Sequence, residues 1–190
     1  MKAIALLLAG ATVLAQPPSG SWLDRPLSNW NDPGRGMPRA TAGDETAAEV
    51  TTRCKLQTLR STAGERAVAE AGWLPFHIFD RQVVARDVEI VGGLIGADGM
   101  CRPTEFNLFV FVGGTFAGAL SPTTMDSRSD GGIGGAVRVA PDDTISAGFH
   151  RYTDTAPLCC PSGRVTVRYR IDRTVAPPVV VPVSVQVIRQ

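Results

Sequence analysis

Four cysteines follow an apolar leader, and two of them, Cys159 and Cys160, are neighbours in the chain. An even number of cysteines in an exported chain predicts disulfides and no free thiol. A disulfide prefers Cα atoms about 4.4–6.8 Å apart, whereas adjacent residues lie about 3.8 Å apart, so a bond between neighbours would be strained. We therefore expect Cys159 and Cys160 to pair separately with Cys54 and Cys101, in an order that the sequence leaves open.

The alternative for the cysteine pair is a direct Cys159–Cys160 bond with a thiol-redox role, since strained disulfides are the labile ones. A metal site is not expected, because the cysteines and the two histidines, His77 and His150, lack ligand spacings such as C-x-x-C. The chain has no cofactor-binding motif either. We predict neither a metal nor a cofactor.

The first 15 residues have the pattern of a cleavable export signal. Lys2 precedes an uncharged apolar stretch over residues 3–14, which is shorter than the roughly 20 residues that span a bilayer. Val13 and Ala15 fit a signal-peptidase site, so cleavage is predicted before Gln16. No lipid-attachment cysteine follows the stretch, and no later segment is apolar enough to cross a membrane. The expected location is periplasmic or secreted in a bacterium, without a lipid anchor.

The charges of the chain are balanced. It has 19 lysines and arginines and 18 aspartates and glutamates, and removal of the leader with Lys2 would equalise the two. Binding to nucleic acid, or electrostatic attraction to an anionic membrane, needs an excess of basic residues on one surface. The arginines are scattered along the sequence, so no basic patch and no nucleic-acid partner is predicted.

The mature chain is predicted to have an arm and one domain. Residues 16–43 are rich in proline and glycine and have neither helical nor strand periodicity. The segment nevertheless carries Trp22, Leu23 and Trp30, large apolar residues that disordered segments usually lack. We expect an extended arm that places these side chains on a disulfide-stabilised domain over residues 44–190.

One helix and about six or seven strands are predicted in this domain. A capping box at Thr62 and Glu65 starts the helix, and Gly72 ends it. Downstream the periodicity changes to two, and short turns make neighbouring strands antiparallel. Residues 106–112 are apolar on both faces, which indicates a central strand, whereas Pro182 indicates an edge strand or a bulge. The predicted fold is α+β, with one short helix packed on a curved, mainly antiparallel sheet; an all-β sandwich or small barrel is the alternative.

A polar loop over residues 121–135 is the best candidate for a ligand site. Loops of about this length without regular structure are often functional, and this one carries Met125, Asp126, Arg128 and Asp130. Its two carboxylates lack the D-x-D-x-D-G pattern of a calcium loop. The simpler interpretation is an ion pair, made by Arg128, that orders the loop.

Three segments of the domain have distinctive combinations of residues. They are Asp98-Gly99-Met100-Cys101-Arg102-Pro103, Phe116-Ala117-Gly118 followed by Leu120-Ser121-Pro122, and Arg151-Tyr152 followed by Leu158-Cys159-Cys160-Pro161-Ser162. Together they resemble the LppP/LprE family of bacterial exported proteins, best known as lipoproteins, over about residues 50–187. The resemblance implies an envelope-facing domain with a cysteine framework, and it provides no enzymatic activity that could be transferred to this chain.

These observations favour a non-catalytic, envelope-associated protein that binds a small ligand or an envelope component, or has a structural role. Neither Ser121 nor Ser162 lies in a G-x-S-x-G motif, and no free thiol is expected as a nucleophile. The alternatives are a small secreted hydrolase that uses His77 or His150, and a thiol-redox protein.

Overall fold

The computed structural model describes residues 21–77 and 83–188, so the predicted signal peptide over residues 1–15 lies outside the described residues. A 3-10 turn at Trp22–Asp24 precedes α1 (Ala47–Cys54) and α2 (Ala63–Glu70). The strands are β1 (Leu74–Phe76), β2 (Val83–Ala85), β3 (Val88–Ala97), β4 (Pro103–Val112), β5 (Thr115–Ala119), β6 (Ile133–Val139), β7 (Thr144–Arg151), β8 (Gly163–Asp172) and β9 (Val179–Ile188). None of the described helices has the length and apolar character of a membrane span.

The strands form two antiparallel sheets, which we name sheet A and sheet B. Sheet A has the order β1-β3-β4-β5, with β2 also paired to β3, and sheet B has the order β6-β7-β8-β9. Their facing side chains form one core, in which Leu108 and Val110 of β4 and Val165 and Val167 of β8 are fully buried. The two sheets are not closed into a barrel.

A second, smaller core covers the other face of sheet A. Phe109 and Phe111 of β4 point away from sheet B and pack with Val68 of α2 and with Trp73. Met37, from the segment before α1, packs against the same cluster. Strand β4 thus lies between two hydrophobic layers at the centre of sheet A, as its two apolar faces predict.

The predicted fold class is confirmed, since the described chain is mainly antiparallel β-structure with a little helix. The number of elements differs from the prediction, with two α-helices and nine strands among the described residues. Helix α1 has a single buried residue, Val50, which leaves little apolar periodicity to reveal it. Strands β1 and β2 have three residues each, which is too short for an alternating pattern.

Both helices start at a capping box. In α2 the predicted pair, Thr62 and Glu65, bonds reciprocally, and the left-handed Gly72 (φ +91°) follows the last turn. In α1 the same arrangement is made by Thr46 and Glu49. In the box of α2, Glu65 is buried, because the N-terminus of α2 packs against sheet A. The box of α1 is exposed to solvent.

The prediction for Pro182 is confirmed, because it lies next to a bulge in β9, at the edge of sheet B. Tyr169 pairs with Pro182 and Arg168 pairs with Ser184, which leaves Val183 as the extra residue. An edge strand tolerates a residue without a backbone N–H, since one of its sides has no partner strand.

The predicted disulfide pairing is wrong. Cys54, at the end of α1, is bonded to Cys101 in the β3–β4 turn, with their Cα atoms 5.4 Å apart, and Cys159 is bonded to Cys160. Arg53 holds α1 against this turn by donating hydrogen bonds to two carbonyl oxygens near the end of β3. The first pair therefore lies beside sheet A, whereas the second lies in the loop between β7 and β8 of sheet B.

Candidate ligand cavity

The described part of the N-terminal arm, residues 21–43, lies along both sheets. The ring of Trp22 packs edge-on against Phe149 of β7, with centroids 5.1 Å apart. Trp30 makes a similar contact with Tyr169 of β8 at 6.2 Å. Apart from the one 3-10 turn the arm has no regular structure, so it is held by its side chains.

Asn31 links the arm to both sheets through a buried side-chain amide. Its Oδ1 accepts a hydrogen bond from the backbone N–H of Ala119 in β5, at 2.9 Å. Its Nδ2 donates to the carbonyl oxygens of Ala119, at 3.0 Å, and of Val180 in β9, at 2.9 Å. Because β5 and β9 are edge strands, the amide takes the place of a missing strand and connects the two sheets.

Gly118 makes room for this amide. Its backbone φ is +144°, and a Cβ built on it would stand 2.5 Å from Cγ of Asn31. Any larger residue at this position would push the Asn31 side chain away from β5. The docking of the arm therefore depends on a glycine in the strand as well as on the asparagine.

A cavity of about 390 Å³ lies between the arm and the edge of sheet A. The arm forms one wall, with Trp30, Arg35 and Arg39. Sheet A forms the other wall with Phe116, and residues 121–124, the first part of the predicted ligand loop, close one end. The volume falls within the range of about 300–1,000 Å³ that is usual for small-molecule sites.

Two indole N–H groups fix the walls of the cavity relative to each other. Trp30 donates to the carbonyl oxygen of Ala119 in β5, at 2.9 Å, and so attaches the arm to the sheet. Trp73, which immediately precedes β1 of sheet A, donates to the carbonyl oxygen of Pro38 in the arm, at 2.8 Å, and so makes a second link between the arm and sheet A. Both tryptophans line the cavity, which is consequently formed before any ligand enters.

The buried polar side chains of the cavity already have partners. Asn107 donates to the carbonyl oxygens of Ser121 and Thr123, both at 3.1 Å, and Ser121 donates its hydroxyl to the same Thr123 carbonyl. These bonds satisfy Nδ2 of Asn107 and Oγ of Ser121. Both residues therefore shape the loop and are poor candidates for ligand contacts.

The arginines of the cavity are available. Arg39 has no hydrogen bond or ion pair with any described residue. Arg35 makes one ion pair, with Asp32 at 3.6 Å, in which both side chains are 70% exposed, and such pairs are weak. The cavity thus combines aromatic walls with guanidinium groups that can turn toward an anion.

The four loop residues that the sequence singles out are not gathered at this cavity. Met125 is buried in the main core, where its backbone pairs with β4. Asp126 accepts a hydrogen bond from the backbone N–H of Arg128, at 2.7 Å, and so shapes the turn. Asp130 lies farther along, next to β7. A ligand-binding role for Met125, Asp126, Arg128 and Asp130 stays a prediction.

The ion pair that orders the loop is made by Arg151 instead of Arg128. Nε of Arg151 donates to Asp130 at 2.8 Å, and another nitrogen of the same guanidinium donates to Asp24 of the arm at 2.7 Å. Arg151 is at the end of β7, close to the loop in space although not in sequence. It ties the loop and the arm to sheet B.

The two histidines are in different surroundings. Nε2 of His77 lies 2.9 Å from Oε1 of the buried Glu65, whereas the ring of His150 lies over Gly134. Burial, and to a smaller extent the charge of Arg164, lower the pKa of His150. Among the described residues, neither histidine is hydrogen-bonded to a serine hydroxyl. The described residues thus do not bring His77 or His150 together with a serine in the way that the hydrolase alternative requires.

The sheet side of the cavity and its loop lie in the part of the chain that resembles known proteins, whereas the arm side lies outside it. Residues 90–174 match the family model of the LppP/LprE lipoproteins. This segment runs from β3 to just beyond β8, so the resemblance seen in the sequence is confirmed there, and α1, α2 and the arm lie outside it. The chain matches no curated protein and no solved structure. The family match indicates an envelope-associated protein.

Proposed function

We propose that this protein is an exported, non-catalytic binding protein of the bacterial envelope, whose ligand is a small molecule with an apolar or aromatic body and an anionic group. The cavity between the arm and sheet A carries the proposal, because it joins aromatic walls to two exposed arginines, Arg35 and Arg39. The family match supports the envelope location. We propose in addition that the signal peptide is cleaved before Gln16 and that the mature protein is periplasmic or secreted.

The chemistry of the walls selects the ligand class. The faces of Trp30 and Phe116 offer apolar surface that buries a ring or a short aliphatic chain. The guanidinium groups of Arg35 and Arg39 offer paired N–H donors that match a carboxylate, phosphate or sulfonate. A neutral ligand of the same shape would leave Arg39 without a partner and Arg35 with only its exposed ion pair to Asp32.

A fluorescent probe of matching chemistry tests the proposal. 8-Anilinonaphthalene-1-sulfonate has a fused aromatic body and one sulfonate, and it is expected to bind the folded protein at a single site. The double variant Arg35→Ala, Arg39→Ala should weaken binding about tenfold or more, because a hydrogen bond to a charged group contributes about 1.5–3 kcal/mol. Fluorescence titration measures this change.

The matched control for this titration is the double variant Arg60→Ala, Arg86→Ala, which removes the same charge away from the cavity. It should bind the probe like the unmodified protein. If both double variants bind the probe as tightly as the unmodified protein does, the proposed site is contradicted. If both weaken binding equally, the net charge of the protein explains the effect and the cavity does not. Thermal unfolding of each variant shows whether the fold is retained.

A thiol-redox protein is the second candidate function, and the bond between Cys159 and Cys160 favours it. Both residues are exposed, whereas Cys54 and Cys101 are half-buried. An incoming dithiol can therefore reach the first bond, which would accept two electrons and two protons and become two thiols while the dithiol becomes a disulfide.

Graded reduction followed by alkylation and peptide mapping tests this second candidate. We expect the peptide over residues 152–164 to carry both alkylated cysteines at reductant concentrations that leave Cys54 linked to Cys101. Without reductant, the same peptide should be lighter than its dithiol form by two hydrogen atoms. A cross-link from this peptide to Cys54 or Cys101, or simultaneous reduction of both disulfides, would contradict the redox role.

A further inference from the structure

The outer face of sheet B gathers arginines that are far apart in the sequence. Alternate residues of β8 point to solvent, and these include Arg164, Arg168 and Arg170. Arg138 of β6 is exposed on the same face. The expectation that the arginines form no basic patch is therefore wrong for this face, because strand periodicity and pairing group them.

Strand pairing arranges these arginines in a row and a column. Arg138 is opposite Ser146 of β7, Ser146 is opposite Arg168, and Arg168 is opposite Ser184 of β9. Neighbouring strands are about 4.8 Å apart, so the backbones of Arg138 and Arg168 lie about 10 Å apart. Along β8, alternate residues are about 7 Å apart. The result is a grid of guanidinium groups with defined spacing.

Acidic residues neutralise little of this face. Arg170 lies 3.5 Å from Asp172. Hydrogen bonds from Thr144, and to a smaller extent the charge of Arg168, lower the pKa of Asp142 at the edge of the face. The side chains of Arg138, Arg164 and Arg168 have no hydrogen bond or ion pair with any residue that the structure describes.

Most positions between the arginines are small or polar; the apolar exceptions in β9 are Val181, opposite Arg170, and the exposed bulge residue Val183. The small or polar outward-facing residues are Gly134, Thr144, Ser146, Gly148, Thr166, Ser184 and Gln186. The guanidinium groups consequently stand mostly among hydroxyl and amide groups. Within the described strands, His150 carries the one aromatic ring that points outward from this face.

We propose that the outer face of sheet B binds an extended anionic polysaccharide that lies along β8. Guanidinium groups bind carboxylate, sulfate or phosphate groups of the chain, and the hydroxyl groups of Ser146, Thr166 and Ser184 bond to sugar oxygens. A bilayer surface would favour Trp, Phe or Leu side chains beside the arginines, and single-stranded nucleic acid would favour stacking rings. None of these residues lines the cavity, so this site is independent of the proposed small-molecule function.

Binding of fluorescein-labelled polygalacturonate oligosaccharides to the full mature chain tests the site. The triple variant Arg138→Gln, Arg164→Gln, Arg168→Gln removes the three unpaired charges. It should weaken binding at least tenfold at 50 mM NaCl. By analogy with single-stranded polyanions, where each contact contributes about 0.7, the slope of log affinity against log salt should fall by about 2. Surface substitutions of this kind are expected to leave folding unchanged, which thermal unfolding checks.

The matched control is the triple variant Lys55→Gln, Arg60→Gln, Arg86→Gln, which has the same net charge and should bind like the unmodified chain. Equal weakening by both triple variants, or by neither, overturns the proposal. Tighter binding to vesicles with 30% phosphatidylglycerol, or to a thymidine 20-mer, also overturns it in favour of a membrane or a nucleic acid. Retention of probe binding at the cavity by the first triple variant separates this site from the proposed function.

Discussion

Replacement of Glu65 by glutamine is expected to lower the free energy of unfolding at neutral pH by about 3 kcal/mol. Glu65 is 1% exposed and accepts hydrogen bonds from the backbone N–H and hydroxyl of Ser61, both at 2.7 Å. The backbone N–H of Thr62 and the ring of His77 complete its surroundings, at 3.2 and 2.9 Å. The Ser61 and Thr62 donors share Oε2, so a glutamine oxygen placed there would be uncharged and a weaker acceptor, while the NH₂ group would replace the carboxylate oxygen that faces His77.

The same carboxylate should make stability depend on pH. Burial raises the pKa of Glu65, but the hydrogen bonds from Ser61, His77 and Thr62 outweigh it and lower the pKa from 4.5 to about 2. The folded state therefore favours the ionised form. Its contribution is fully present above about pH 4.5 and is lost as the pH falls toward 2; this pKa difference corresponds to about 3 kcal/mol.

Urea unfolding at a series of pH values between 2 and 7 measures both effects. Glu65→Gln should be less stable than the unmodified protein at pH 7 and nearly equal to it at pH 2. The matched control is Glu49→Gln, in the capping box of α1, where Thr46 hydrogen bonds lower the pKa of an exposed glutamate. A loss of stability as large for Glu49→Gln as for Glu65→Gln would contradict the role of burial.

The two capping boxes also show what the sequence can predict about this chain. The T-x-x-E spacing at Thr62 specifies the start of α2 because the bonds involved are local. The burial of Glu65 is not local, since it depends on His77, twelve residues away. The alternation of β8 is equally local, and its inward residues Val165, Val167 and Tyr169 are all fully buried as predicted.

The parts that could not be predicted are contacts between distant segments. The pairing of Cys54 with Cys101 follows from the packing of α1 beside the β3–β4 turn. The periodicity of the sequence does not reveal that contact, because it depends on how two distant segments pack together. The ligand cavity depends on where the arm lies, and its first loop residues, 121–124, have no motif of their own. The arginines of sheet B came together through register, which becomes visible once strand partners are known.

Asn31→Ala is expected to lower the free energy of unfolding by about 2–4 kcal/mol. The side chain bonds to Ala119, 88 residues away, and to Val180, 149 residues away. Its removal leaves the Ala119 N–H and the Val180 carbonyl without partners where water has little access, and each such group costs about 1–3 kcal/mol. The Ala119 carbonyl keeps its bond from Trp30, which limits the loss.

The neighbouring variant Asp32→Ala is the control, because its side chain is 70% exposed and it should change stability by less than about 0.5 kcal/mol. Urea unfolding compares the two, and limited trypsin digestion reports cleavage at Arg35 and Arg39 of the arm. If the amide holds the arm, Asn31→Ala should be cut faster at both arginines and should bind the anilinonaphthalene probe more weakly, since one wall of the cavity is released. Equal stability and equal cleavage of the two variants would mean that the aromatic contacts of Trp22 and Trp30 suffice to dock the arm, and that the amide bridge between the edge strands adds nothing.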